Sequence, residues 1–183
     1  MKRLSFIYVC ILLCTYCGPQ VQSAAAQTNQ HYTHLTHEQR IERRAERLAE
    51  YEKFIDSLVL SRNFEFNPQT VQQLPAGGTT LLSNPVYSVT LWRGSVDVCL
   101  PYYVGYVPPY RYILINTVSP NVTDYQIHQT AEGWNVTFKC PLYATGDYTF
   151  SFDINSRQGG ATLTISYPWY SPVQYTGTLS KIY

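Results

Sequence analysis

Cysteine is scarce in this 183-residue chain, and most of it lies where it cannot brace a fold. Cys10, Cys14 and Cys17 sit in the first 17 residues, leaving only Cys99 and Cys140 for the rest. Two thiols make no disulfide scaffold, and no Cys/His spacing for zinc appears. Histidine is equally sparse. His31, His34 and His37 recur at three-residue spacing in a polar stretch, but no cysteine or carboxylate cluster joins them, so no metal site is expected. Excess charge of one sign is missing too. Without Lys2 and Arg3, the 13 basic residues become 11 against 12 acidic ones. That balance argues against nucleic acid as a partner, which demands a basic face, and against electrostatic attachment to a membrane. No apolar run reaches the ~20 residues a spanning helix needs.

What the N-terminus does contain is an export signal. Lys2 and Arg3 precede an apolar run from Leu4 to Cys17, then Gly18-Pro19 and the small residues Ser23 to Ala26. This order of positive, apolar and small-residue regions predicts secretion with cleavage after Ala26. Cys14 and Cys17 follow Leu13 and Tyr16 rather than small residues, so lipid anchoring is not expected. Residues 27–35 then read as a flexible polar leader, and the rest of the chain is within the size of one domain.

Thr36 and Gln39 form a capping box that starts a helix over residues 36–62. Ile41, Ala45, Leu48, Ile55 and Val59 share one face at helical spacing, with Glu52 the misfit. Glu38, Glu42, Glu46 and Glu50 line an acidic row beside Arg43 and Arg47, a solvated face. This segment holds 12 of the 25 charged residues, whereas the last 121 positions hold 11, together with 13 of the 17 tyrosines.

Those 121 residues read as strands. Short alternating runs begin at Asn63–Phe66 and continue through Val86–Trp92, Val96–Leu100, Arg111–Asn116, Val122–Gln129 and Trp134–Cys140. Pro68 and the stretch from Pro75 to Gly78 read as loop. Near the end, Tyr148, Phe150, Phe152 and Ile154 alternate with Thr149, Ser151 and Asp153. Ala161, Leu163, Ile165 and Tyr167 then alternate with Thr162, Thr164 and Ser166, and Val173, Tyr175 and Leu179 continue the pattern. Period-2 alternation with threonine on the open side predicts an antiparallel sheet wet on one face. The expected fold is α+β. An N-terminal amphipathic helix covers part of an antiparallel, strongly curved sheet, open barrel or sandwich of about eight strands, residues 63–183. Cys99 shares the polar parity of Asp97 and Cys140 the apolar parity of Phe138, which argues against a disulfide, although export favours oxidation.

The stretch Leu100–Tyr112 interrupts this pattern, with five tyrosines, three prolines and one charge, Arg111. Pro101, Pro108 and Pro109 remove backbone donors and predict a stiffened loop. Two readings are open. Tyr102, Tyr103, Tyr106, Tyr110, Arg111 and Tyr112, with Trp169 and Tyr170 in a later turn, form a contact surface for an envelope protein or a glycan. Alternatively the rings fold back as a lid over the core.

Leu100-Pro101-Tyr102-Tyr103, followed by Gly105-Tyr106 and Pro109-Tyr110, resembles the "LPYFG…Y…Y" signature of the domain-of-unknown-function family 4251. The closing residues Gly160-Ala161-Thr162-Leu163-Thr164-Ile165 and Tyr175-Thr176-Gly177 look like that family's ending. The order of signal, charged helix and sheet is also the family's. The resemblance implies a small exported protein of a Bacteroidales-type bacterium, in the periplasm or cell envelope, with no assigned activity. This chain departs from the signature where Val104 separates the aromatic pair from Gly105, and where the basic residue expected after that glycine is absent.

No catalytic motif stands out. His128 is the one histidine beyond the helix, and no Gly-x-Ser-x-Gly, glycine phosphate loop or zinc spacing accompanies it. The carboxylates Glu65, Asp97, Asp124, Glu132, Asp147 and Asp153 are dispersed, with Glu132 and Asp147 beside glycines in expected turns. No cofactor is expected. A non-catalytic exported binding module is the leading reading. A carrier with a cavity lined by Trp134, Phe150, Phe152 and Ile165 is the second, and a hydrolase built around His128 the third.

Overall fold

The computed structural model describes residues 36–75, 77–105, 109–143 and 146–182. One helix, α1 (His37–Ser61), precedes ten strands: β1 (Phe64–Gln73), β2 (Thr80–Leu81), β3 (Ser88–Trp92), β4 (Ser95–Val104), β5 (Arg111–Ser119), β6 (Thr123–Gln129), β7 (Gly133–Tyr143), β8 (Gly146–Asn155), β9 (Gly160–Tyr167) and β10 (Tyr170–Ser180). They form one open antiparallel sheet in the order β5-β4-β3-β1-β10-β9-β8-β7-β6, with β2 beside β1. The molecule is therefore predominantly β. The proposed signal and leader lie outside the described residues.

The alternating pattern orients the strands as expected. Phe150, Phe152, Leu163, Ile165, Val173 and Tyr175 are buried on one face, and the intervening threonines and serines point outward. Curvature is visible in the rings. Phe64 and Phe66 of β1 each meet Phe152 of β8 edge-on at 5.6 Å, although β10 and β9 separate those strands in the sheet. Phe138 stacks on Phe150 at 5.1 Å. Each fully buried side chain of this size contributes about 1.5–3 kcal/mol, and each ring pair about 0.5–1.5 kcal/mol more.

Because the sheet curls over its own apolar face, the helix has less to cover than its stripe implies. Ile55, Leu58 and Val59 are buried against the region of β1 and β7. Ile41, Ala45 and Leu48 are exposed, correcting the expectation that the whole stripe packs on the sheet. A polar link fixes the packed turns: Asp56 accepts from the Trp134 indole Nε1 at 2.6 Å and from Ser156 Oγ at 2.9 Å.

Two strands run through prolines where the sequence suggests loops. β1 continues past Pro68, and β4 continues through Pro101 to Val104. In each case the ladder on one side is interrupted at the proline. The pairing of β3 with β4 ends at Cys99, so Pro101 has only β5 beside it. Pro68 sits at a bulge against β10, between the segments of β1 that pair with β3 and with β2. Among the described residues, Cys99 and Cys140 are free thiols, in line with their opposite parity.

Candidate functional site

The tyrosine-rich stretch divides between interior and surface. Tyr102 is fully buried on the inner face of β4, its ring 6.0 Å from that of Tyr148. Burial, then the neighbouring phenols of Tyr148, Tyr170 and Tyr167, raise its hydroxyl pKa. The row continues from Tyr148 to Tyr167 at 4.4 Å and from Tyr167 to half-buried Tyr170 at 5.5 Å. Tyr102 thus lies in the interior, where the lid alternative puts it.

Strand alternation turns Tyr103 the other way. Its ring meets that of Tyr112 edge-on at 5.9 Å, and the Tyr112 hydroxyl lies 3.3 Å from that of Tyr87. That hydrogen bond, more than burial, pushes the Tyr112 phenol up to about 12. Tyr112 is 53% exposed, and the outward positions beyond it on β5 include Leu114 at 48% and Val118 at 62%. Tyr110 is half-buried and Arg111 exposed at the start of the same strand. Tyr106 lies outside the described residues.

Trp169, in the turn before β10, is 66% exposed. The amide of Ser171 donates to the Gly105 carbonyl at 3.4 Å, and Gln73 Nε2 donates to the same oxygen at 3.2 Å. These bonds bring the β9–β10 turn to the end of β4, so both predicted aromatic groups belong to one end of the sheet. Sequence reasoning missed Leu114 and Val118. The signal was present, because β5 carries apolar residues on both parities, whereas a strand with one wet face needs them on only one.

Elsewhere the geometry is less suited to the other readings. Phe150, Phe152 and Ile165 are fully buried among stacked and edge-on rings, and fill the interior that a carrier would leave open. His128 is exposed on β6 opposite Asn135. A polar groove of about 650 Å³ crosses the outer side of the sheet, with Glu132, Trp134, Asp153 and Thr176 among its walls. Within it the Asp153 carboxylate accepts from Asn135 Nδ2 at 2.6 Å. Among the described residues, no group of three or more His, Cys, Asp or Glu side chains is placed to hold a metal ion. No helix among them is long and apolar enough to cross a membrane.

The model of the family described as domain of unknown function DUF4251 matches residues 46–179. This chain belongs to the DUF4251 family. Its fold is similar to a crystal structure of a DUF4251 family protein from Bacteroides eggerthii DSM 20697. The TM-score is 0.56 at 16% sequence identity, covering 73% of this chain and 89% of that one. No curated protein sequence matches. The DUF4251 match spans the packed turns of α1 and all ten strands almost to the end of β10, so the aromatic end and the groove both lie within it.

Proposed function

We propose that this DUF4251 protein is exported, loses its first 26 residues, and works in the periplasm or cell envelope as a non-catalytic binding module. Its contact surface is the outer face of β4 and β5 around Tyr103, Tyr112, Leu114 and Val118, extended by Arg111, Tyr170 and Trp169. The observation that carries this reading is the position of β5. It is an edge strand, paired on one side with β4 through nine consecutive residue pairs and approached by β7 without ladder pairing, and it presents an apolar outward row. Free strand edges with exposed apolar side chains are what an added strand from another protein uses. The opposite edge, β6, is blunted. A bulge interrupts its pairing, Asp124 adopts a positive φ, and the Asp124–Lys139 ion pair stands beside it.

The partner is therefore an envelope protein that supplies an extended segment. Capture of envelope proteins by the chain, followed by amide hydrogen exchange of the complex, tests the proposal. Protection should appear in residues 111–119, and Tyr112→Ala with Leu114→Ser should abolish capture without lowering Tm. Capture that survives this variant, or protection confined to other strands, would overturn it.

A further inference from the structure

A second site lies where the helix hands over to the sheet. The chain leaves α1 through Arg62, whose amide closes the last turn onto the Val59 carbonyl at 3.1 Å and whose φ is +56°. The β3–β4 hairpin turns through Arg93 and Gly94, with φ of +51° and +85°. A left-handed helix cap and a two-residue hairpin of this type both want glycine or asparagine. Arginine at both corners is the costlier choice, each such residue being strained by about 1 kcal/mol or more. The favourable field at a helix C-terminus accounts for a cation at Arg62 but not for one at Arg93, whose guanidinium lies 5.2 Å from the centre of the Trp92 ring in the wall of the adjoining groove.

Asn63 holds the two corners together. Its Nδ2 donates to the Ser61 carbonyl at 2.9 Å, and its Oδ1 accepts from the Arg93 amide at 3.1 Å. Between the corners is a pocket of about 240 Å³ lined by Arg62, Asn63, Arg93 and Tyr125 among others. The Arg62 guanidinium lies 4.3 Å from the centre of the Tyr125 ring, and the Tyr125 hydroxyl is buried with no hydrogen-bond partner among the described residues. Against this pocket, sharing Ser61, Asn63 and Arg93, runs a groove of about 620 Å³ with Phe54, Trp92, Lys181 and Ile182 in its walls. The ion pairs among the described residues are Lys139 with Asp124 and Arg157 with Glu52, so Arg62, Arg93 and Lys181 face this cleft without a carboxylate partner.

We infer that this cleft binds an anionic amphiphile. A phosphate or carboxylate head sits between Arg62 and Arg93, with Tyr125 Oη as a further donor, and the apolar body lies along Phe54 and Trp92. Guanidinium groups bind such oxyanions in bidentate fashion, and the aromatic walls supply the apolar contact. The site is at the helix exit and is independent of the β5 surface.

The test titrates the purified full chain with dodecyl phosphate, following Trp fluorescence and calorimetry. Dodecyl maltoside and inorganic phosphate serve as comparators. Saturable one-to-one binding of dodecyl phosphate is expected, at least tenfold tighter than either comparator. In Arg62→Asn with Arg93→Asn, affinity should fall tenfold or more while Tm stays level or rises, because asparagine relieves both corners. Arg93→Asn alone, which creates an ordinary Asn-Gly turn, should weaken binding in the same direction and serves if the double variant does not fold. Vesicles of phosphatidylcholine with phosphatidylglycerol identify the source. Flotation lost in the variants assigns the head to a bilayer lipid, and absence of flotation assigns it to a free amphiphile. Equal affinity for dodecyl maltoside or inorganic phosphate, binding unchanged in the variants, or no binding at all would overturn the inference.

Discussion

The hydroxyl of Tyr175 donates a hydrogen bond to the backbone carbonyl of Pro101 at 2.7 Å, inside the core. The two residues are 74 positions apart, on β10 and β4, and they belong to the two stretches that carry the family resemblance. Two positions further along β10, Gly177 passes so close to the Asn67 backbone carbonyl that a Cβ there would overlap it. The opening and closing motifs therefore meet each other, and their tyrosine and glycine are explained by packing without any ligand.

Tyr175→Phe isolates that hydrogen bond. Removing the hydroxyl keeps the ring's burial but leaves the Pro101 carbonyl unsatisfied, at a cost of about 1–3 kcal/mol in urea unfolding. Tyr175→Ala adds a cavity and should cost about 3–5 kcal/mol, by analogy with other large aromatic truncations. If the phenylalanine variant unfolds at the same urea concentration as the parent, the bond does not brace the sheet and the motif needs another explanation.

The inner face was legible in the sequence because its cause is local. Phe150, Phe152, Leu163 and Ile165 alternate with polar residues, and a strand has no way to bury both parities against one layer. The helix's exposed half was not legible, since whether Ile41 and Leu48 find a partner depends on how far the sheet curls, which no single segment encodes. Pro101 misled in a similar way. A proline excludes a central ladder, but β4 has lost its neighbour on one side by that point, a fact set by the length of β3. At the candidate site, the identity of the aromatic residues could be read but their sides could not. Tyr102 and Tyr103 differ only in parity, and parity becomes visible only once the strand is known to continue through Pro101.

Asp56 ties the helix to the sheet through Trp134 and Ser156. A half-buried carboxylate accepting two hydrogen bonds is worth more than an exposed ion pair such as Arg157 with Glu52 at 3.9 Å. Asp56→Ala should therefore lower stability by about 1.5–3 kcal/mol, and Asp56→Asn by less, because the amide oxygen still accepts from the indole. Glu52→Ala should leave Tm within error. Thermal unfolding of the three variants measures the order, and equal losses for Asp56→Ala and Glu52→Ala would show that the helix is held by Ile55, Leu58 and Val59 alone.

The two thiols beyond the N-terminal segment should react differently. Cys140 is buried, and desolvation followed by the nearby Asp147 charge pushes its thiol up to about 12. At pH 8 it carries almost no thiolate, which is the nucleophilic form. Cys99 is partly exposed on the outer face of β4. Iodoacetamide at pH 8, with peptide mapping, should modify Cys99 in the native protein and Cys140 only after denaturation. Rapid native labelling of Cys140 would mean that β7 opens far more readily than its packing implies.

Alkaline pH should unfold the protein through its tyrosines. Burial pushes Tyr148 up to about 12, and does the same for Tyr125 against an opposing effect of Arg62, while an unfolded phenol titrates near 10.0. The phenol is the neutral, protonated form, so a folded pKa above the unfolded one means that folding favours protonation. Below pH 10 both states hold the proton and the full stability is present. As the pH rises from about 10 to about 12 the unfolded chain releases protons that the folded chain keeps, and stability falls. Tyrosinate absorbance at 295 nm, recorded with far-UV circular dichroism, separates the two populations. The buried phenols of Tyr148 and Tyr125 should ionise together with the loss of the β signal. Ionisation of every tyrosine in one step near pH 10, with the sheet retained, would place Tyr148 and Tyr125 in water and contradict the packing of the inner face.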